Sequence, residues 1–506
     1  MIDFLAVSGA LDILSSNWTA WAVIIPGLLL GLIGGSMPGI SISMTMAIFL
    51  PLTLYMDFFS AVMFLTAIFT GGGFGGSVPA VLMNIPGTPS AVATTFDGYP
   101  MTQQGRHNEA LGLALFASCI GTLAGYVLLF LLIEPLSIAV LRLGPLEMLV
   151  VALWGLILIA ALRGRHVARG LMAGVFGVLM GTLGMNDAGY LRGTFGIDVL
   201  LDGVPTIPAI MGLFVAAQLF NLIGRDYIVA DEGSRRMSFR LILAGVRETM
   251  RYPGVLLRGS AIGIIVGAVP GVGSSVSNLL SYAETRRTDP NPASFGTGNP
   301  KGVVAAESAN SSSEGGSMAT LLALGIPGGG GTAILLAAFA THNIVGGPKF
   351  LADHKDIVYA IIFGNFIQAL LLLGIGLAFI HVASGIVKVP LRLLVPSVMV
   401  LSSFGAYSIT GNLSGPVTLL VFSLLGWLLA RYDYPVAATV VGLLLGRLVE
   451  SELLHSYQLS AGEVSFLLQR PVAMVFLFLL VASLLAPFLR QWRGRSRIGP
   501  ATPVGG

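Results

Sequence analysis

Residues 34–40 read Gly-Gly-Ser-Met-Pro-Gly-Ile, and residues 266–272 repeat the pattern 232 positions later as Val-Gly-Ala-Val-Pro-Gly-Val. Further matches follow in the same order. Gly-Gly-Ser at 75–77 and Ile-Pro-Gly at 85–87 recur at 315–317 and 326–328. The last matches pair Pro145, Gly170 and Gly181 with Pro390, Gly415 and Gly426. Ordered matches of this kind indicate an internal duplication.

The chain between these motifs is strongly apolar. Of its 506 residues, 55% are hydrophobic and only 10% are charged, whereas roughly 25% are charged in an ordinary soluble domain. At about 20 residues for each membrane-spanning helix, a chain of this length holds about 10–14 transmembrane segments. The composition therefore predicts an all-α polytopic membrane protein of the size of a transporter or a channel.

The charged residues and the single cysteine argue against several kinds of site. A net charge of +3 provides no basic surface for nucleic acid. Cys119 alone cannot form a disulfide framework or a cysteine metal cluster. His107, His342 and His354 have no metal-ligand spacing. We therefore expect no cofactor, no transition metal and no nucleic-acid partner.

The placement of arginine predicts the orientation of the chain. The first twenty residues contain no Lys or Arg, whereas the connector 224–258 carries seven Arg residues and the tail 490–506 carries four. By the positive-inside rule, the N-terminus is periplasmic, and the connector and the C-terminus are cytoplasmic. The first half then crosses the membrane an odd number of times, so its copy returns with inverted topology.

The predicted boundaries follow from the duplication and the orientation. Residues 17–223 form the first inverted repeat, 224–258 the cytoplasmic connector and 259–465 the second inverted repeat. Residues 466–489 form an additional C-terminal transmembrane helix, and 490–506 a cytoplasmic tail. Two inverted halves with a site at their interface are typical of secondary transporters.

The two Pro-Gly pairs interrupt apolar segments that are otherwise long enough to continue across the bilayer. Proline removes a backbone donor and glycine adds backbone freedom, so a helix stops there. Non-helical backbone at membrane depth persists only where it is buried in protein or lines a polar cavity. The start of the next half-helix presents free N–H groups, which suit an anion. A kink at a helix contact is the alternative, but it explains two repeat-related copies poorly.

A second interrupted element follows in each half. Residues 84–90 read Asn-Ile-Pro-Gly-Thr-Pro-Ser, and residues 325–332 read Gly-Ile-Pro-Gly-Gly-Gly-Gly-Thr. We predict that both stretches form the tips of re-entrant hairpins, whose bare carbonyl and amide groups bind an ion and a carboxylate. The glycine-rich run 71–76 fits G-x-G-x-x-G, but it lacks a βαβ context and is rejected as a dinucleotide site.

Residues 307–314, Glu-Ser-Ala-Asn-Ser-Ser-Ser-Glu, are unusually polar and precede the apolar run 318–326. Three interpretations stay open. The stretch is a solvated loop, a cavity lining or cation site with Glu307 or Glu314 as its ionisable member, or a set of structural caps. The short polar segment around Asp97, Arg106 and Glu109 is interpreted as solvated.

These segments supply the predicted site residues. The candidates for binding substrate are Pro38, Gly39, Ser41, Ser43, Gly87, Thr88, Pro270, Gly271, Ser274, Ser275, Asn278, Gly328 and Gly329. The candidates for binding a coupling cation, with Na+ as one possibility, are Asn84, Asn310, Ser311, Ser312, Ser313, Glu314 and Thr332.

The chain resembles the large membrane subunit of the bacterial tripartite tricarboxylate transporters, from Trp21 to Leu489. The resemblance is most specific at residues 31–43, 75–87, 97–100 (Asp-Gly-Tyr-Pro) and 302–331. It implies a multi-pass secondary transporter of the bacterial inner membrane that works with a small membrane subunit and a periplasmic solute-binding protein. It also implies uptake of a carboxylate such as citrate or a dicarboxylate, driven by a sodium or proton gradient through an elevator-type movement. A homodimer of the large subunit is a further expectation.

A passive anion channel is the main alternative function, because broken helices also build selectivity filters. An enzyme is not expected. Gly315-Gly316-Ser317-Met318 lacks the final glycine of the G-x-S-G motif of intramembrane serine proteases, and the G-x-G-D motif of aspartyl membrane proteases does not occur.

Overall fold

The computed structural model describes residues 3–37, 40–140, 143–162, 167–186, 190–213, 237–270, 273–386, 391–460, 463, 466 and 469–495. In these ranges the chain is helical apart from turns and one antiparallel pair of two-residue strands, β1 (Gly184–Met185) and β2 (Leu191–Arg192). The prediction of an all-α polytopic protein is confirmed.

The helices before the central connector are short at the interruptions and long elsewhere. They are α1 (Phe4–Ser16), α2 (Trp18–Gly35), α3 (Ile42–Phe49), α4 (Phe58–Gly75), α5 (Ser77–Met83), α6 (Val92–Gln103), α7 (His107–Val140), α8 (Pro145–Leu162), α9 (Val167–Gly181) and α10 (Thr206–Met211). Short 3-10 helices cover Leu50–Tyr55, Pro89–Ala91 and Asp198–Leu200.

The helices of the second part follow a similar order. They are α11 (Phe239–Thr249), α12 (Pro253–Gly267), α13 (Ser274–Thr288), α14 (Pro300–Leu324), α15 (Gly330–Thr341), α16 (Pro348–Asp353), α17 (Lys355–Ile386), α18 (Leu391–Thr410), α19 (Ser414–Arg431), α20 (Val436–Leu459) and α21 (Pro471–Arg495). Of the predicted connector and tail, residues 224–236 and 496–506 lie outside the described residues.

Within the described ranges, five helical segments are long and apolar enough to cross a membrane. They are Trp18–Gly35, Phe58–Met83, His107–Ile138, Lys355–His381 and Ser414–Arg431. Seven further apolar helices are shorter, and they include α3, α12 and α15, the helices next to the interruptions. The total of about 10–14 crossings and the inverted orientation of the halves stay predictions.

Both Pro-Gly segments separate two helices at matching positions. α2 ends at Gly35 and α3 begins at Ile42, whereas α12 ends at Gly267 and α13 begins at Ser274. Each boundary in the second half lies 232 positions after its counterpart. The helices therefore stop and restart at both Pro-Gly pairs, although Pro38, Gly39 and Gly271 themselves lie outside the described residues.

The two Ile-Pro-Gly stretches also follow helix ends of the same kind. Asn84 directly follows α5 and Gly325 directly follows α14, and both adopt the left-handed conformation, with φ of 59° and 69°. Glycine takes this conformation without a steric cost, and asparagine is among the residues that tolerate it best. The proline two residues later cannot continue the helix, so the chain turns into the next one.

Glycine-lined contacts join α2 to α4 and α12 to α14. In both pairs, three glycines four residues apart lie against the backbone of the partner helix, and a Cβ at any of them would come closer than 3.0 Å to a neighbour. In the first pair Gly27, Gly31 and Gly35 face Phe64, Ile68 and Gly72. In the second pair Gly259, Gly263 and Gly267 face Ala305, Ala309 and Ser313. Small residues of this kind let membrane helices approach closely.

α14 lies at the centre of the helical core. It packs against α7, α12, α13 and α6, and every residue from 302 to 318 is buried. The polar stretch 307–314 is therefore part of a buried helix, and its interpretation as a solvated loop is wrong. Hydroxyl, amide and carboxyl groups at this depth must find hydrogen-bond partners inside the protein.

Candidate functional site

The second Pro-Gly interruption lies directly beside the second Ile-Pro-Gly turn. Gly273, which precedes α13, adopts a φ of 62°. Among the described residues, a Cβ built on Gly329, which precedes α15, would have one neighbour within 4 Å, the Cα of Gly273 at 3.5 Å. Both glycines are half-buried. The starts of two helices thus border a small, partly open space lined by backbone.

Each Pro-Gly half-helix also contacts the turn region of the other half. α3 packs against α15, and α13 packs against the 3-10 helix Pro89–Ala91. The second contact includes a hydrogen bond from the Asn278 side-chain amide to the carbonyl oxygen of Ser90. Asn278 is fully buried, and its Oδ1 atom has no hydrogen-bond partner among the described residues. The two halves therefore meet where the four interrupted elements converge.

Gly87 and Gly328, the glycines of the two turns, occupy equivalent positions. The N–H of Gly87 donates to the carbonyl oxygen of Gly76 at 3.0 Å, and a Cβ on Gly87 would collide with the carbonyl oxygen of Gly35. A Cβ on Gly328 would lie 2.7 Å from the carbonyl oxygen of Gly267. Each turn is thus pressed against the end of the helix that precedes the Pro-Gly pair.

Several predicted substrate residues lie at these helix starts. Ser41 caps α3, its Oγ atom accepting the N–H of Met44 at 3.1 Å. Thr88 is buried, with its Oγ1 atom 3.0 Å from the Oγ atom of Ser90. Ser43, Ser274 and Ser275 are half-buried in the first turns of α3 and α13, and Pro270 is buried.

Glu314 is buried in the middle of α14. Its Oε1 atom accepts hydrogen bonds from the hydroxyl groups of Tyr126 at 2.8 Å and Thr70 at 2.9 Å, and Thr70 also lies 3.0 Å from Oε2. Thr70 belongs to α4 and Tyr126 to α7. This carboxyl group therefore joins three helices.

Glu307 lies two helical turns earlier on the same face of α14, and none of its surface is exposed. It accepts hydrogen bonds from Thr94 of α6 and, at 3.1 Å, from Ser118 of α7. Asn310 lies 3.5 Å from its Oε2 atom and also donates to the carbonyl oxygen of Gly73 at 3.1 Å. Glu307 thus has the same kind of hydroxyl surroundings as Glu314.

The other predicted cation residues differ in their surroundings. Ser312 donates to the carbonyl oxygen of Ser260 and Ser313 to that of Asn310, so both hydroxyls are used by backbone groups. Ser311 is buried, and no described residue forms a hydrogen bond with its Oγ atom. Thr332 caps α15 through Gly329, and Asn84 is exposed at the end of α5.

The hydroxyl groups around the two glutamates were missed by the sequence analysis. Ser118 and Tyr126 lie on α7 within a long apolar stretch, together with Thr122 midway between them. Their spacing of four residues places them on one face of a helix. Their helical spacing inside an apolar helix was the sequence pattern that could have identified them.

Asp97 is fully buried, so its interpretation as a solvated residue is wrong. Its Oδ1 atom accepts the backbone N–H groups of Gly296 at 2.8 Å, Gly298 at 2.9 Å and Asn299 at 2.8 Å. Its Oδ2 atom accepts the hydroxyl group of Tyr282 at 2.9 Å. The carboxylate of α6 therefore organises the loop that leads into α14.

Residues 21–441 match the sequence profile of the family described as Tripartite tricarboxylate transporter TctA family. The chain belongs to this family. The TctA family is part of a tripartite system with a small membrane subunit and a periplasmic binding protein, and its members are transporter subunits. Both buried glutamates and the two Ile-Pro-Gly turns lie inside the matched region.

Two relatives of this TctA-family chain come from Agrobacterium vitis. One, named "Uncharacterized 52.8 kDa protein in TAR-I ttuC' 3'region", is 31% identical over 477 residues, which cover 93% of each chain. The other, named "Uncharacterized protein in TAR-II ttuC' 3'region", is 32% identical over 234 residues, 46% of this chain and 97% of the relative. No solved structure matches the chain.

Proposed function

We propose that this chain is the translocating subunit of a tripartite carboxylate importer in the bacterial inner membrane, with a periplasmic N-terminus and a cytoplasmic C-terminus. The observation that carries the proposal is the convergence of two Pro-Gly interruptions and two Ile-Pro-Gly turns, with matching glycine contacts in the two halves. Repeat-related broken helices that meet at one place are typical of the substrate sites of secondary transporters.

The chemistry of these segments favours an anionic substrate. α3, α15 and the first ten residues of α13 contain no charged side chain. The helix starts supply free N–H groups and the positive end of the helix dipole, so they can hold carboxylates without buried arginines. Among the described glycines Gly35, Gly87, Gly267, Gly273, Gly328 and Gly329, only Gly273 and Gly329 could carry a Cβ without a neighbour closer than 3.5 Å. The substrate is accordingly a citrate-like tricarboxylate or a dicarboxylate.

The transport cycle in this proposal is alternating access by inverted repeats. A periplasmic solute-binding protein delivers the carboxylate, and the small membrane subunit supports the complex. The interrupted helices and turns move together as one module, an elevator-type movement driven by a sodium or proton gradient. The large subunits assemble as a homodimer. The backbone contacts at Gly35, Gly87, Gly267 and Gly328 support a module that moves as one body, because they leave no side chains to repack.

Reconstitution of the complete complex tests the proposal. Proteoliposomes containing this chain, its small subunit and its binding protein receive labelled citrate or a labelled dicarboxylate, with and without an imposed cation gradient. Accumulation above equilibrium together with counter-flow supports a carrier. Equilibration without counter-flow contradicts the proposal and supports a passive anion channel instead.

Substitutions at Gly329 test the position of the site. Gly329→Ala adds a methyl group at an ordinary van der Waals distance, 3.5 Å, from Gly273, so the fold should tolerate it. Gly329→Ala should reduce carboxylate uptake, and Gly329→Leu should fill the space and reduce uptake further. Gly374→Ala and Gly374→Leu in α17 are the matched controls, because a Cβ at Gly374 meets nothing within 4 Å. Normal affinity for the carboxylate in both Gly329 variants would exclude this space as the binding site.

A further inference from the structure

We infer that Glu307 and Glu314 are the groups that bind the coupling proton, and that the polar strip between them carries it through the core. This inference rests on the proposed function, and it assigns the coupling ion and its residues. The strip consists of Glu307, Ser311 and Glu314 on α14 and of Ser118, Thr122 and Tyr126 on α7.

The burial of the two carboxyl groups favours their protonated form. Glu307 is 0% exposed and Glu314 is 3% exposed. The ion pairs found among the described residues include neither group. An ionised carboxylate without a cation at this depth costs several kcal/mol of desolvation free energy. Binding a proton removes that cost without requiring another charged group.

The hydrogen-bond partners of the two carboxyl groups suit both the protonated and the ionised state. The partners of the two carboxyl groups include the hydroxyls of Thr70 and Tyr126 for Glu314, and those of Thr94 and Ser118 for Glu307. A hydroxyl group donates to a carboxylate and can rotate to accept from a carboxylic acid. It therefore serves both protonation states, whereas Lys or Arg stabilises only the ionised state.

The space between the two carboxyl groups contains further polar side chains. Glu307 and Glu314 are seven residues apart, about 10.5 Å along the helix. Thr122 lies one turn from Ser118 and one turn from Tyr126, and Ser311 lies between the two glutamates on α14. The hydroxyls of Thr122 and Ser311 are buried, and within the part of the chain that the structure describes they have no hydrogen-bond partner. Polar atoms left unpaired inside a core require an explanation, such as water or a transient proton.

Room for a small species exists beside Ser311. Gly73 of α4 is buried, and a Cβ built on it would meet only the Oγ atom of Ser311, at 3.9 Å. On the α7 side, Gly121 and Gly125 lie against the backbone of Ser308 and Ser312, so α7 and α14 run close together along the strip. These contacts place the unpaired hydroxyls at an internal interface between the two carboxyl groups.

Other titratable groups on the surrounding helices do not neutralise this strip. Tyr126 of α7 donates to Glu314, whereas Cys119 lies in the apolar core. Asp97 of α6 pairs with Tyr282 of α13 beside Gly302, more than one turn before Glu307. The remaining charged or titratable residues within helices packed on α14 are Tyr99, His107, Glu109, Glu134, Arg258, Glu284, Arg286, Arg287, Lys349 and Asp353.

The proposed coupling reaction is a reversible protonation. A proton from the periplasmic side forms an O–H bond with a carboxylate of the strip, and the same bond breaks when the proton leaves to the cytoplasmic side. Because Glu307 and Glu314 link α14 to α4, α6 and α7, their protonation changes the hydrogen bonds that hold α14. α14 leads directly into the Ile-Pro-Gly turn at 326–328, so the helix that carries the proton sites is continuous with the segment proposed to move.

Infrared difference spectroscopy tests proton binding without any transport. Purified complex in lipid is compared between acidic and alkaline buffer, and we expect a carboxylic acid C=O band that weakens in Glu307→Gln and in Glu314→Gln. Glu248→Gln in α11 is the control and should leave the band unchanged. A band that is absent from the wild type, or unchanged in both strip variants, overturns the inference.

A trapped pH-sensitive dye tests coupling in proteoliposomes. Carboxylate uptake should acidify the lumen of wild-type vesicles, and Glu314→Gln should lose this acidification while it keeps carboxylate counter-flow. Uptake that follows a sodium gradient without proton movement overturns the inference and leaves the proposed function intact. Absence of both uptake and counter-flow in the wild type counts against the proposed function. In that case, the infrared result alone decides whether the two glutamates bind a proton.

Discussion

Tyr282 of α13 donates a hydrogen bond to the carboxylate of Asp97 on α6, at 2.9 Å, across 185 positions of sequence. The same carboxylate accepts three backbone N–H groups of the loop before α14, those of Gly296, Gly298 and Asn299. A carboxylate of the first half therefore fixes the entry of the second half's central helix. Its role is to position α14, which carries both buried glutamates.

Asp97→Ala should strongly destabilise the protein. It leaves three backbone N–H groups and one tyrosine hydroxyl without their acceptor, at a cost of roughly 3 kcal/mol or more. Tyr282→Phe removes a single hydrogen bond and should cost about 1 kcal/mol. Thermal unfolding of the variants in lipid nanodiscs measures the difference. Equal stability of Asp97→Ala and Tyr282→Phe would mean that the N–H groups find other acceptors.

Substitutions in the two glycine contacts should damage both halves to a similar extent. Gly31→Ala and Gly263→Ala each push a methyl group into the partner helix, because their Cβ atoms collide with backbone atoms of α4 and α14. Overpacking of this kind typically costs about 1–3 kcal/mol. Thermal unfolding is again the measurement, with Gly374→Ala as a control that should unfold like the wild type. A loss of stability confined to one of the two variants would contradict the equivalence of the two contacts.

Gly328→Ala and Gly329→Ala are adjacent substitutions, of which only the first is expected to reduce stability. A Cβ on Gly328 lies 2.7 Å from the carbonyl oxygen of Gly267, whereas a Cβ on Gly329 lies 3.5 Å from its nearest neighbour. Gly328→Ala should therefore lower the unfolding temperature, and Gly329→Ala should leave it unchanged and reduce carboxylate uptake. Gly87→Ala should behave like Gly328→Ala. Identical unfolding temperatures for all three variants would argue against the packing of the turns.

The ion pair between Asp289 and Lys301 should contribute little and should not respond to pH near neutrality. Its atoms are 2.6 Å apart, and Lys301 holds the pKa of Asp289 below its usual range. Because the folded pKa lies below the unfolded value of about 3.9, the contribution is complete above that pH. It is lost as pH falls through the folded pKa.

Asp289→Asn tests this expectation. The variant should be less stable by no more than about 1 kcal/mol at neutral pH, because the Lys301 side chain is 31% exposed and water screens the pair. The difference from the wild type should stay constant down to about pH 5, and disappear in stronger acid. A difference that already changes between pH 8 and pH 6, as rough limits, would assign the pH response to another group.

The sequence was a good guide to the positions where helices stop. The Pro-Gly pairs and the Ile-Pro-Gly stretches act on their own backbone, through the missing proline donor. Gly273 and Gly325, which lie beside the second pair and the second stretch, adopt the positive φ that glycine allows. Their helix boundaries could therefore be predicted from neighbouring residues. The same local reasoning failed for Asp97 and for residues 307–314, because a polar residue looks equally suited to solvent and to a partner that is distant in sequence.

The sequence by itself determined the helical membrane class and the interrupted segments, since composition and motifs are properties of the chain alone, and the internal duplication stays its prediction. Only the tertiary structure decided which groups surround the carboxyl groups. Thr70 and Glu314 are 244 positions apart, and Ser118 and Glu307 are 189 apart. Contacts over such distances depend on how whole helices pack, and close packing at glycine brings these hydroxyls within hydrogen-bond reach of the buried glutamates.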